Sequence, residues 1–150
     1  MSALRSRIDE AVKHAMKSGD RRRLGTLRLI MAAIKQVEVD TRKAPTDDDV
    51  LAVLSRMVKQ RRESIEQYEQ ATRDDLAAAE RAELEVIGEF LPEPLSDAEL
   101  SCLVEAALAE TGAAGPKDMG RVMAALKPRV RGRGDMGALS TRVRARLTGA

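Results

Sequence analysis

Residues 90–100 read FLPEPLSDAEL, and the fold turns on them. Pro92 and Pro94 stand two apart. Each lacks an amide donor and pushes its predecessor away from helical geometry, so no helix passes through. A helix start follows at once: Ser96 and Glu99 have capping-box spacing, and Leu95 and Leu100 are placed as a hydrophobic staple across it. The spacing predicts a helix through Leu103, Val104, Ala107 and Leu108 to Thr111, with Gly112 as its stop. The chain therefore divides into an N-terminal multi-helix lobe, residues 1–92, and a smaller C-terminal three-helix lobe, residues 96–150.

Upstream of this boundary, four apolar-periodic segments read as helices. The first covers about residues 2–18, with Leu4, Ile8, Val12 and Met16 recurring at i+4 beside Ala11 and Ala15, and Ser18-Gly19 ends it. Asp20 is the N-cap of a second helix, which runs to about Asp40 on Leu24, Leu27, Ile30, Met31, Ile34 and Val37. Thr46 caps a third over about residues 47–71, whose first turn holds Asp47, Asp48 and Asp49 at the positive end of the helix dipole. Its apolar stripe is Val50, Leu51, Leu54, Met57, Val58, Ile65 and Tyr68, and Lys59 and Arg62 have i+4 partners in Glu63 and Glu66. The fourth spans about residues 74–91 and stops at Pro92. Downstream, helices are predicted over about residues 117–127, ending at Pro128, and around Leu139, Val143 and Leu147.

Composition agrees with an all-α fold. Tyr68 and Phe90 are the only aromatic residues, so the core must be built of Leu, Ile, Val, Met and Ala, which suits packed helices. Leu29–Ile34 is the longest apolar run, far short of the ~20 residues of a membrane span. A single cysteine, Cys102, has no internal disulfide partner. Its apolar neighbours predict a buried small hydrophobe, and the chain is expected in a reducing cytoplasm.

One histidine and one cysteine leave no usual zinc set and little for a Ser-His-acid or Cys-His triad, and His14 reads as a solvent-facing helical residue. No cofactor is expected. Gly132-Arg-Gly-Asp-Met-Gly137 spells G-x-G-x-x-G, but the dinucleotide fingerprint needs a preceding strand within a βαβ unit. The carboxylates of residues 63–110 are plentiful, yet nothing marks two of them as an acid–base pair.

The charges are strongly segregated. Residues 1–62 hold 15 Lys/Arg against 8 Asp/Glu, residues 63–110 hold 2 against 14, and residues 111–150 hold 9 against 2. Such blocks either neutralise one another or present basic patches to an acidic partner. The segment from Pro116 to Gly137, PKDMGRVMAALKPRVRGRGDMG, is the sharpest candidate for the latter. Lys117, Arg121, Lys127, Arg129, Arg131 and Arg133 are the foremost phosphate contacts there, since guanidinium forks suit phosphate and the glycines let backbone approach it. Arg21, Arg22, Arg23, Lys59, Arg61 and Arg62 form a second tier. With so few aromatics, reading of unpaired bases by stacking is disfavoured, and backbone contact with folded RNA is the form expected.

Several stretches then carry a family resemblance. KDMGRVM at 117–123, PRVRGR at 128–133, VKQRRESIEQYEQA at 58–71, ELEVIGEFLPEPLS at 83–96 and LRLIMAAIK at 27–35 resemble the GatB/YqeY family in its free-standing YqeY-like branch, over nearly the whole chain and in a consistent order. The loop Gly134-Asp135-Met136-Gly137 departs slightly from that pattern. The resemblance implies two helical lobes and kinship with the tail of the tRNA-dependent amidotransferase B subunit, which helps hold tRNA while other domains do the chemistry. It also brings the family label of carbon–nitrogen ligase activity with glutamine as amido-N-donor, here without the amidase or transamidation machinery. The chain is therefore expected to be a tRNA-associated binding module without catalysis of its own, working beside an amidotransferase subunit or an aminoacyl-tRNA synthetase. The alternative is an adaptor that docks a basic partner through the acidic 63–110 face; a third reading is accessory participation in amide transfer.

Overall fold

A computed structural model of the chain describes residues 2–149, and among them every regular element is helical. The seven α-helices are α1 (Ala3–Ser18), α2 (Arg21–Thr41), α3 (Asp47–Gln70), α4 (Asp74–Gly88), α5 (Asp97–Thr111), α6 (Met119–Val130) and α7 (Met136–Thr148), with a 3-10 turn, Pro116–Asp118, leading into α6. The chain separates into two compact units, Met1–Pro92 and Glu93–Ala150.

Local chemistry explains the helix ends. Asp20 and Ser96 accept from backbone amides three residues on, at Arg23 and Glu99. Thr46 and Asp49 cap each other reciprocally. Gly19 and Gly112, at φ 74 and φ 62, take the left-handed turn that closes α1 and α5. Two predicted ends move. Helix α4 stops at Gly88, short of Leu91, and the chain then turns so that Phe90 drops into the core at 6% exposure. Helix α6 does not stop at Pro128 but continues to Val130, which is fully buried. The proline deprives the Ala124 carbonyl of its i+4 donor, and burial of Val130 offsets that loss.

The first unit has one core, in which Ile8, Leu27, Ile30, Ile34, Leu54 and Ile87 meet with Val50, Val53 and Phe90. The i+4 stripe of α1 does not hold to its end: Met16 is 56% exposed and Ala15 is buried instead. Successive i+4 steps rotate by about 40° around a 3.6-residue helix, so three of them carry Met16 off the face that Leu4 starts. In α3 the core also takes Val53, while the stripe thins towards the C-terminal end, where Ile65 and Tyr68 are half-buried.

The second unit is smaller and aromatic-free. Val104 and Ala107 of α5, Val122, Leu126 and Val130 of α6, and Leu139 and Val143 of α7 fill its core. Helix α6 packs against both α5 and α7. Leu95 and Leu100 both lie against this core, as a staple requires. Cys102, expected to be buried, is exposed on α5: its neighbours Leu103 and Val104 face inward, and one residue's 100° turn points the thiol outward.

Candidate functional site

The arginine- and glycine-rich loop joins α6 to α7 and is pinned from several sides. Gly132, at φ 75, turns the backbone. The Arg133 amide then donates to the Val130 carbonyl (2.7 Å), the Leu95 amide donates to the Arg133 carbonyl (2.8 Å), and Arg133 Nε donates to the Glu93 carbonyl (2.8 Å). Arg133 thus ties the loop to the proline-rich entry of the second unit. Asp135 caps α7 by accepting from the Gly137 amide (3.0 Å), so its carboxylate occupies one of the donors at that helix start.

Four arginines of this unit reach acids on two sides of α5: Arg129 and Arg133 meet Glu110 and Glu99 on one side, and Arg142 and Arg146 meet Asp97 and Glu105 on the other. Arg129 Nη2 donates to both oxygens of Glu110 (2.7 and 2.6 Å), and Arg133 Nη2 approaches Glu99 (3.5 Å). From α7, Arg142 pairs with Asp97 (3.0 Å) and donates to Ser101 Oγ (2.9 Å), while Arg146 grips both oxygens of Glu105 (2.5 and 2.9 Å). The Arg146 fork holds the Glu105 carboxyl below its usual range. Because Glu99 turns to Arg133, only half of the predicted capping box forms: Ser96 accepts from the Glu99 amide without the reciprocal bond.

Asp118 is the buried charge of the unit, 8% exposed at the turn before α6. Its carboxylate accepts from the amides of Ala114 (2.8 Å) and Gly115 (3.2 Å) and pairs with Arg121, which also donates to the Thr111 carbonyl (3.1 Å). The Ala114 amide, then Arg121 and the Gly115 amide, hold the Asp118 pKa down at about 2. Asp118 and Arg121 together fasten the α5–α6 connection. Arg131 is exposed in the loop. Lys117, Lys127 and Arg144 are exposed and make no ion pair.

In the first unit Arg61 is drawn in. It donates to Glu83 (2.7 Å) and lies 3.3 Å from Glu80, joining α3 to α4 with 17% of its side chain exposed. One Glu80 oxygen is buried without a hydrogen bond, because the Arg61 Nε proton points to Glu83. The expected local pairs, Lys59 with Glu63 and Arg62 with Glu66, are not formed, and Lys59 and Arg62 stay exposed. Arg23 pairs with Glu89 across α2 and α4, and Arg7 lies 5.7 Å above the Phe90 ring. Arg21 and Arg22 have no ion pair. They line an open groove of about 800 Å³ between α2 and α4.

Counted by unit, the charge blocks dissolve. The first unit holds 17 Lys/Arg against 17 Asp/Glu, the second 9 against 7. The acidic stretch 63–110 is divided between the units and supplies counter-ions within each. Among the described residues, no group of three or more His, Cys, Asp or Glu side chains is placed to hold a metal, His14 is exposed, and no helix is long and apolar enough to cross a membrane.

The architecture defines a class: a two-unit helical protein in which each unit nearly balances its own charge. Comparison with known proteins places it further. The model of the YqeY family, described as Yqey-like protein, matches residues 5–147, and the chain belongs to that family. An uncharacterized protein of Schizosaccharomyces pombe is 33% identical over 94 residues, covering 63% of this chain and 76% of the relative. Altered inheritance of mitochondria protein 41, mitochondrial, is 30% identical in Pyrenophora tritici-repentis over 85% of this chain and 71% of the relative. The protein of the same name in Eremothecium gossypii is 35% identical over 61% of this chain and 51% of the relative. These mitochondrial names overturn the cytoplasmic expectation. An unpaired cysteine and the lack of a long apolar helix suit any reducing aqueous compartment, so neither distinguishes the cytoplasm from a mitochondrion.

Proposed function

We propose that the chain is a helical binding module for structured RNA, tRNA foremost, which contacts phosphates through the second unit and performs no catalysis itself. What supports this reading is the edge formed by α6 and its loop. Lys117 and Lys127 stand free there, Arg129 is held only by the exposed Glu110 carboxylate, and Arg133 shares one guanidinium nitrogen with exposed Glu99 while its Nε stays on the Glu93 carbonyl. Exposed ion pairs contribute roughly 0–1 kcal/mol, so a phosphate, which attracts a guanidinium more strongly, displaces Glu110 or Glu99 at small cost. RNA binding is then an exchange of counter-ions on arginines already extended by their partners. Kinship with the amidotransferase B-subunit tail points the same way. The names of the relatives make mitochondrial tRNA the first pool to test, beside bulk tRNA.

The test is fluorescence anisotropy of labelled tRNA across a salt series. Wild type is expected to show a log–log slope near −2 to −5, as ~3–5 phosphate contacts give. A Lys117→Ala/Lys127→Ala variant, which breaks no ion pair, flattens the slope. Glu99→Gln/Glu110→Gln tightens binding by freeing Arg129 and the Nη2 group of Arg133. No binding at low salt, or carboxylate removal without effect, sinks the reading. The adaptor alternative, docking a basic partner such as an amidotransferase subunit or a synthetase, would use acids of one unit at a time, because the 63–110 stretch is not one face.

A further inference from the structure

The groove between α2 and α4 in the first unit has a different chemistry. Its floor is small and apolar: Gly25 and Leu29 from α2, Ala79, Ala82 and Val86 from α4. A Cβ added at Gly25 would meet nothing within 4 Å, and Leu29 is 47% exposed, unusual for a leucine with a core beneath it. The stripe continues along α2 through Ala32 and Gln36 to Val39, itself 59% exposed. Positions 25, 29, 32, 36 and 39 are spaced four, three, four and three, the interval at which one helix meets another side by side. Over 14 residues it reaches ~21 Å.

Its flanks are charged with opposite signs. Arg21 and Arg28, seven residues apart and so on nearly one face, follow the outer edge of α2, and neither forms an ion pair. Glu85, exposed and without an ion pair, lines the α4 side beside Glu83 and Glu89, which Arg61 and Arg23 already hold, and Arg22 stands unpaired inside the groove. We propose that this groove docks an amphipathic helix of a partner protein, one whose large apolar side chains fill the small-residue floor, with acids along the flank facing α2 and bases along the flank facing α4. A second copy of the chain fits poorly, since two such faces laid antiparallel set arginine against arginine. An RNA backbone or an anionic membrane meets the basic rim but is repelled by the acidic one.

Four fluorescein-labelled 18-residue helical peptides, each with leucine at the a and d positions, test this against the full chain by anisotropy. One carries glutamate on one flank and lysine on the other, a second carries glutamine on both flanks, and a third and fourth carry all-lysine and all-glutamate flanks. The mixed-flank peptide is expected to bind at least tenfold more tightly than the rest. Leu29→Ser, an exposed change that leaves the fold intact, weakens it about tenfold. Arg21→Glu/Arg28→Glu shifts the preference to the all-lysine peptide, because both rims are then acidic. Equal affinity for all four peptides, or a preference unmoved by the charge reversal, overturns the proposal. So does tighter association of the Leu29-containing face with phosphatidylglycerol vesicles or tRNA than with any peptide.

Discussion

The two units solve one problem, how to hold helices rich in charge, in different ways. In the first, Arg61 is pulled between α3 and α4 and shares two carboxylates above a core that includes Phe90 and six fully buried Ile and Leu side chains. In the second, the core is small, and Arg129, Arg133, Arg142 and Arg146 reach over the surface to acids on α5. A domain of ~60 residues buries a smaller share of its surface and is correspondingly marginal. The same residue types therefore do different jobs: a half-buried strut in one unit, an exposed and exchangeable fringe in the other. Exchangeable is what a phosphate-binding surface needs, and the smaller unit is where that surface is proposed.

The largest expected effect tests whether core size separates the units. Leu126→Ala removes a fully buried side chain and should cost about 2–5 kcal/mol. That is enough to unfold the second unit while the first persists. Amide resonances of residues 93–149 would collapse with those of residues 2–92 still dispersed; loss of both sets together would mean that the units are not separable. Next comes Arg61→Met, which strands Glu80 and Glu83 and should destabilise the first unit by about 1–3 kcal/mol in urea denaturation. An unchanged midpoint would show Arg61 to be as dispensable as the surface arginines.

A smaller effect concerns acid. The Asp118 pKa is lowered on folding from 3.8 to about 2, so its contribution is present above the unfolded value and is lost as pH falls from about 4 to about 2. Wild type should lose thermal stability in the second unit through that window. Asp118→Asn should start lower at pH 7 and show a shallower fall, followed by far-UV circular dichroism at pH 7, 4, 3 and 2. Equal slopes would remove Asp118 as the cause. Smallest, and opposite in sign, is Gly120→Ala on exposed α6, where a new Cβ meets nothing within 4 Å. It should stabilise the second unit by roughly 0.5–1 kcal/mol, and in so small a unit that is a visible rise in Tm.

Much of this was legible in the residues. Asp20, Thr46 and Ser96 announce helix starts, and Gly19 and Gly112 announce stops, because capping is local chemistry. The errors have tertiary causes. Pro128 is a helix breaker by itself, but the buried Val130 beyond it keeps α6 going. Cys102 has apolar neighbours, yet only helix rotation decides which of them turns inward. The charge blocks were visible, but their matching was not. Arginine is long enough to leave its own helix, so Arg61 passes over nearer acids to reach α4, and Arg146 reaches Glu105, 41 positions away. For the candidate site the consequence is direct: Lys117, Arg121, Lys127, Arg129, Arg131 and Arg133 could be picked out by type, but only structure distinguishes free lysines from arginines already engaged.

One feature of the core reaches into how the molecule meets light. Both aromatic rings, half-buried Tyr68 and buried Phe90, belong to the first unit. Ultraviolet absorbance at 280 nm and intrinsic fluorescence therefore report one half of the chain. A melting curve followed by tyrosine emission traces the transition of the first unit even when the other half has already come apart. To the aromatic probes the chain carries natively, the second unit is dark, and a tryptophan placed on its surface would be the first lamp in it.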